Sequence, residues 1–488
     1  MTTPVDTRSP GRWTMIQTLV CITAAIGFAF DTYELLMLPL IAPAAIQELT
    51  GFAPGSPESL AWIKTLFFVP AFFGAFFGLL GGWLTDRLGR RRVLTGSILL
   101  YAIAAFVSGY STSMNMLLIC RCLVFVGVCV EFVAAVAWLA ELFDDPVQRE
   151  RVIGYTQAFA SFGGLLVAFV NHELASHASS LPAIYLPEWA SGIIGTLKNP
   201  DPVWRLTLMS GLFPAIPLIV VRPFLPESPK WAAKKQAGEL KRPSLRELFT
   251  PALRRTTIVS TLLVGCGYGL AFGAIQQIPQ IVRGLPDVEA KAATMTKREA
   301  GAFKQKVAAS YSEFQEVGGL VGRFLLAFLA MRIASRRGLL SIFVVPALIV
   351  LPMFFLAMAR GTNTLLFNIG NIEVTALSLG TFFAGMLVIA QFSFWGNYLP
   401  RVFPLHLRGT GESMAANIGG RLIGTSFAWI TATLAAASWM PGKPGPSKIA
   451  TVAAGVAAAL CLTACLLTVF LPEPPPEEPN DPTTGAVA

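Results

Sequence analysis

Gly82-Trp83-Leu84-Thr85-Asp86-Arg87-Leu88-Gly89-Arg90-Arg91-Arg92 packs five charges into its last seven positions. Apolar runs flank it on both sides, residues 60–84 before and 93–110 after. A bilayer core needs about 20 consecutive apolar residues per helix, and each run is close to that length. We therefore read a tight turn between two antiparallel membrane helices, held on the cytoplasmic side by its arginines.

Working outward, ten more runs of the same character appear. Before the central polar segment they cover residues 15–46, 114–142, 152–171 and 204–225; after it, 256–282, 314–331, 339–358, 372–399, 410–437 and 450–471. Twelve spans result. The composition agrees, since the 488 residues are 54% hydrophobic and only 13% charged, against roughly 25% charged in an ordinary soluble domain. The first run carries Asp31 and Glu34 and is too long for a cleavable signal peptide.

The polar segment 227–255 divides the spans into two sets of six. The expected organisation is a cytoplasmic N-terminus (1–14), an N-terminal half (15–226), a cytoplasmic linker (227–255), a C-terminal half (256–471) and a disordered cytoplasmic tail (472–488). Segments 172–203 and 283–310 are read as long external loops. Most of the 37 Lys and Arg residues then fall inside. The +9 net charge thus follows from topology and gives no reason to invoke nucleic acid.

Several function classes drop out. The seven cysteines all lie in apolar runs, and Cys120 with Cys122 makes no closed metal site. No phosphate-cradling lysine loop, no His-Glu-x-x-His and no nucleophile–base set is present, so we expect neither an enzyme nor an ATP-driven pump, and no cofactor or metal.

Within this apolar background four charges stand out: Asp31 and Glu34 in the first run, Arg121 and Glu131 in the fourth. A charge at the bilayer centre costs at least ~2.5–3.5 kcal/mol and usually marks an ion or substrate pathway. Asp31 and Glu34 are i, i+3 neighbours, and two such carboxylates cannot both ionise cheaply without a cation. Glu131 lies about 15 Å further along its helix than Arg121 and about 80° round. Arg323 and Arg421 are candidate anion clamps, because guanidinium forks match carboxylates. Gln157, Gln276, Gln277, Gln280, Asn397 and Asn417 supply neutral donors.

The opening stretch resembles the loop motif G-x-L-x-D-R-x-G-R-R/K of the major facilitator superfamily. Asp31-Thr32-Tyr33-Glu34 is similar to the D-x-[FY]-[DE] signature of its proton-coupled metabolite symporters. The run from Arg121 through Gly127, Glu131, Glu141 and Pro146 to Arg149 is similar to the R…G-G-E…E…P…R pattern of the same branches, with Cys129-Val130 replacing its glycine pair. Leu225-Pro226-Glu227-Ser228-Pro229-Lys230 and Phe403-Pro404-Leu405-His406-Leu407-Arg408-Gly409 fit the same branches. After span eight the corresponding turn keeps Arg336-Arg337 but has Arg332 where the acid stands. Gln276-Gln277 resembles the glutamine pair of sugar porters instead.

The resemblance implies an all-α membrane protein of twelve transmembrane helices in two six-helix halves. It further implies a secondary active transporter that moves a small organic acid together with protons by alternating access. The alternatives are a sugar:proton symporter or an uncoupled facilitator or exporter of the same fold. Proton coupling would rest on Asp31, Glu34, Arg121 and Glu131, with Arg121 the cation for Asp31. Substrate would meet Gln157, Gln276, Gln277, Gln280, Asn397, Asn417 and Arg421. A gating set would comprise Gly82, Asp86, Arg87, Gly89, Arg90, Arg91, Glu141, Arg149 and Arg323. The expected partners are a small organic solute (carboxylate or sugar), protons and the lipid bilayer, met by a monomer in the plasma membrane with both termini cytoplasmic.

Overall fold

A single residue makes the turn between spans 2 and 3. The helix Pro57–Leu88 runs through most of the charged stretch, and Arg90–Ser108 begins directly after it. Gly89 alone lies outside, with φ +95°, which a residue bearing a Cβ adopts only under strain. Its N–H still bonds to the Thr85 carbonyl at 3.1 Å, so the chain reverses with little loss of backbone pairing.

The computed structural model describes residues 14–143, 159–186, 188–197, 200–225, 244–330, 332–370, 372–404, 407–440 and 445–474, with isolated positions 148, 152, 156, 227, 236 and 237. Twelve spans follow in order among them. Span 1 is Met15–Thr50, span 2 Pro57–Leu88, span 3 Arg90–Ser108 and span 4 Met114–Leu142. Span 5 is described over Ala160–Ser176, and span 6 is broken into Pro202–Met209 and Leu212–Val221. Span 7 is Arg254–Gly273 continued by Ile278–Val282; spans 8, 9 and 10 are Lys297–Ala330, Arg336–Arg360 and Ala376–Val402. Span 11 has three pieces, Arg408–Ser413, an 11-residue π-helix Met414–Gly424 and Ser426–Ala436, and span 12 is Pro446–Thr468. Nine helices among the described residues are long and apolar enough to cross a membrane. Phe72, Phe76, Ile103, Ile119, Phe169, Phe213, Ile349 and Leu466 are exposed on the outside of the bundle, where lipid replaces water.

The segment expected as a loop at 283–310 is instead helical. Pro286–Ala292 forms a short helix, and span 8 starts at Lys297 rather than near residue 314. Its first turns are polar, so apolarity alone placed the boundary too late. Between spans 9 and 10 the strands Leu365–Ile369 and Ile372–Thr375 pair antiparallel, so span 10 begins at Ala376 rather than residue 372.

Helix packing sets the site's geometry. Gly163 on span 5 sits against the Ala29 backbone of span 1, and Gly318 and Gly322 on span 8 sit against Phe382 and Met386 of span 10, with no room for a Cβ at any of them. Small residues let helices approach this closely without a water-driven hydrophobic force.

Candidate functional site

A cavity of about 160 Å³ lies between the two sets of six spans. Its wall carries Asp31 from span 1, Gln276 from the short 3-10 turn that joins the two pieces of span 7, Glu316 and Arg323 from span 8, and Glu412 and Arg421 from span 11. Aromatic rings fill the gaps, among them Phe132, Tyr268, Phe392 and Trp395. The Tyr268 and Phe392 rings meet edge to face at 4.8 Å. The π-helix of span 11 carries both Asn417 and Arg421, and such widened turns often re-aim side chains at functional sites.

The four intramembrane charges separate. Asp31 alone of the four lines the cavity, and both its carboxylate oxygens are buried without a hydrogen-bond donor among the described residues. Arg421 and Arg222 are the cations whose fields reach it. Arg121 does not pair with Asp31, contrary to the expectation: its Nη1 lies 3.6 Å from Glu34 Oε2, and its Nη2 donates to the Glu34 carbonyl at 2.9 Å. The reason is helical phase. Positions three apart point about 60° apart, so Asp31 faces the cavity while Glu34 faces span 4.

Glu131 has its own cation, Arg222 at the end of span 6, with Nη2 to Oε1 2.7 Å. Gly27 makes room for this pair, since a Cβ there would meet Arg222 Nη2 at 2.6 Å and Glu131 Oε1 at 2.7 Å. Both pairs are essentially inaccessible to solvent. Removing one partner of such a pair would strand a buried charge.

The candidate substrate residues also divide. Gln276 and Arg421 line the cavity. The Arg421 guanidinium lies against Cys129 Sγ and over the Phe132 ring at 5.7 Å, bridging to span 4. Gln277 and Gln280 do not appear in the cavity wall: Gln277 donates to the Phe272 carbonyl at 2.6 Å, and Gln280 donates to Gln277 Oε1. The amide of Asn417 donates to Ser413 Oγ at 3.0 Å, and its side chain packs where a Cβ on Gly78 would meet Oδ1 at 2.7 Å. Asn397 is half-buried on span 10. Gln157 lies outside the described residues.

In the gating set, Arg90 and Arg91 offer their backbone N–H groups to Glu227, the Arg90 N–H at 2.9 Å from Oε1 and the Arg91 N–H at 3.2 Å from Oε2. Glu227 thus caps the N-terminus of span 3, where helix dipole and unpaired N–H groups favour an anion. The surroundings of Gly82, the side chains of Asp86, Arg87 and Glu141, and the whole of Arg149 lie outside the described residues. Arg323 is placed in the cavity wall and not at this turn; its Nη1 donates to Ser393 Oγ at 3.2 Å.

Residues that the sequence reading passed over are Glu316, Glu412 and Arg222. The test applied to spans 1 and 4, an ionisable residue inside an apolar run, would have found Glu316 and Glu412 but not Arg222, which stands at the end of span 6. Glu48 is a further case at the other end of span 1: it accepts from Trp204 Nε1 at 2.6 Å and from Arg205 Nη2 at 2.7 Å.

Twelve membrane helices around a central, largely apolar cavity that carries charged side chains define a multi-pass solute carrier. The Major Facilitator Superfamily profile matches residues 19–428, and the chain belongs to that family. It is 25% identical over 399 residues to the probable 4-methylmuconolactone transporter of Cupriavidus pinatubonensis, covering 80% of this chain and 78% of the relative. It is 26% identical over 440 residues to the 4-hydroxybenzoate transporter of Pseudomonas putida, covering 86% and 83%. The xylose transporter of E. coli, solved partially occluded and inward open, superposes with a TM-score of 0.65 at 16% identity, covering 95% of this chain and all of that one. The chain is an integral membrane transporter and not an enzyme.

Proposed function

We propose that this carrier is a proton-coupled symporter of a small organic acid, acting as a monomer by alternating access. The observation that carries the reading is the cavity itself: a buried carboxyl group without a hydrogen-bond partner among the described residues, Asp31, shares it with two arginines and an aromatic wall. An arginine fork takes a carboxylate bidentately, and aromatic rings take an apolar or planar body. Relatives carrying 4-hydroxybenzoate and 4-methylmuconolactone support that solute class.

Asp31 would exchange its proton as the two halves, residues 15–226 and 256–471, rock about the cavity. Coupling requires that the protonated and deprotonated states bind solute with different affinity. The Arg121–Glu34 and Arg222–Glu131 pairs would hold the N-terminal half's charge framework, and the 82–92 turn with Glu227 would gate the cytoplasmic side. Basic residues concentrated in the short loops favour cytoplasmic termini in the plasma membrane.

Purified protein in liposomes with an imposed pH gradient, offered carboxylates and sugars, tests the reading. Carboxylate uptake that alkalinises the medium is the expected result. Sugar uptake without competition by any carboxylate would replace it with the second reading, sugar:proton symport, which Gln276 in the cavity wall favours.

A further inference from the structure

The charges of the cavity wall do not by themselves make an anion site. Among the described residues the wall carries three carboxyl groups, Asp31, Glu316 and Glu412, and two guanidinium groups, Arg323 and Arg421. Fully ionised, these groups leave one net negative charge, and a bound monocarboxylate raises it to two. The neighbouring Arg121–Glu34 and Arg222–Glu131 pairs are each neutral and leave that balance unchanged. A low-dielectric site discharges such an excess by binding protons rather than carrying it. Two protons are needed to bring the loaded cavity to neutrality.

Asp31 can hold one of them. The geometry of Glu316 fits the second. It is 2% exposed, on the C-terminal half. Gln315 Nε2 donates to its Oε1 at 2.8 Å, and no lysine, arginine or histidine nitrogen among the described residues lies within 4 Å of the carboxyl group. Its other oxygen rests on Gly164 of span 5, in the N-terminal half, so closely that a Cβ at Gly164 would overlap it. Arg323 lies seven residues on, about 10 Å along the helix. A neutral carboxyl group can stay on that glycine seat, whereas a carboxylate would be drawn towards the arginine. Glu412 belongs to the first piece of span 11, next to the turn at Phe403 and Pro404, near the cytoplasmic edge.

We propose that Glu316 is a second proton-binding residue of the transport cycle, and that two protons accompany each monocarboxylate. This rests on the proton-coupled reading above. Both protons come from the outer medium, one to Asp31 and one to Glu316, and leave to the cytoplasm after the solute. One net positive charge then moves inward per cycle, so uptake responds to membrane potential as well as to pH.

The test uses the full-length protein in liposomes, radiolabelled 4-hydroxybenzoate, and pH and potential clamped separately. With no pH gradient, wild-type accumulation should rise about tenfold per 59 mV of inside-negative potential. Glu316→Gln should keep pH-driven uptake and lose the response to potential, while Glu289→Gln, whose carboxylate pairs with Lys304 away from the cavity wall, should behave as wild type. Wild-type uptake that a pH gradient drives and potential leaves unchanged would overturn the proposal, as would loss of the potential response in Glu412→Gln and not in Glu316→Gln. The wild-type arm decides even where a variant fails to fold. Uptake driven by neither gradient would instead overturn the symport reading itself.

Discussion

In the N-terminal half, Glu227 accepts from the backbone N–H groups of Arg90 and Arg91 at the start of span 3; in the C-terminal half, Glu473 accepts from those of Arg336 and Arg337 at the start of span 9. Arg91 donates to the Leu225 carbonyl and Arg337 to the Leu471 carbonyl. The two Leu-Pro-Glu sequences thus do the same work, and the second half does not need an acid at Arg332 to close its corner. Inside the bundle the halves diverge. The N-terminal half pairs Arg121 with Glu34 and Arg222 with Glu131, leaving Asp31, among the described residues, as its contribution of charge to the cavity. The C-terminal half turns Glu316, Arg323, Glu412 and Arg421 into it. Fold closure is therefore symmetric and chemistry is not: among the described residues one half supplies a fixed charge frame and a single carboxyl group to the cavity, the other two carboxyl groups and two guanidinium groups.

That contrast can be broken most sharply at Arg222. Arg222→Met should strand Glu131 and lower stability by about 3–5 kcal/mol, whereas Arg222→Met combined with Glu131→Leu should recover most of the loss. Thermal unfolding in detergent reads both, and equal loss in the single and double variants would mean the pair is not the frame we describe. Arg421→Lys keeps the charge and removes the fork. Carboxylate affinity should fall about ten- to a hundredfold, matching about 1.5–3 kcal/mol for a hydrogen bond to a charged group, with thermal stability close to wild type; unchanged KM would move the clamp elsewhere.

The smallest effect belongs to the corners closed by Glu227 and Glu473. Burial opposes the charge of Glu473, but the N–H groups of Arg336 and Arg337, the Ser335 hydroxyl and the Arg337 charge outweigh it and hold the carboxyl group below the usual range. A depressed folded-state value stabilises above the unfolded value of about 4.3 and fades as pH falls through the lower folded one. Glu473→Gln should thus reduce stability slightly, by about 0.3–1 kcal/mol near neutral pH, with the difference shrinking in acid. A difference that grows in acid would contradict this capping role.

The twelve spans were legible because each apolar run meets the length a bilayer demands, and the 82–92 turn because glycine and charge punctuate it. The start of span 8 was not, since Lys297, Arg298, Glu299 and Lys304 open a helix whose apolar part begins far later. Asp31 and Arg421 were singled out from residue type and depth. The partners of Arg121 and Glu131 were not, because pairing depends on how each helix is rotated: close packing at Gly27, Gly163 and Gly164 accompanies the phase that sends Glu34 towards Arg121 and Asp31 into the cavity. Arg222 escaped because it stands at the end of span 6, where an arginine reads as an interfacial anchor.

Asp31→Asn tests the central claim most directly. In liposomes loaded with unlabelled 4-hydroxybenzoate, the variant should still exchange it for labelled solute, because exchange needs no net proton movement. Its accumulation against a gradient under an inward pH difference should fall well below the wild-type level, to what the one remaining proton site, Glu316, can drive. Full pH-driven accumulation in Asp31→Asn, at wild-type levels, would contradict the assignment of proton coupling to this cavity.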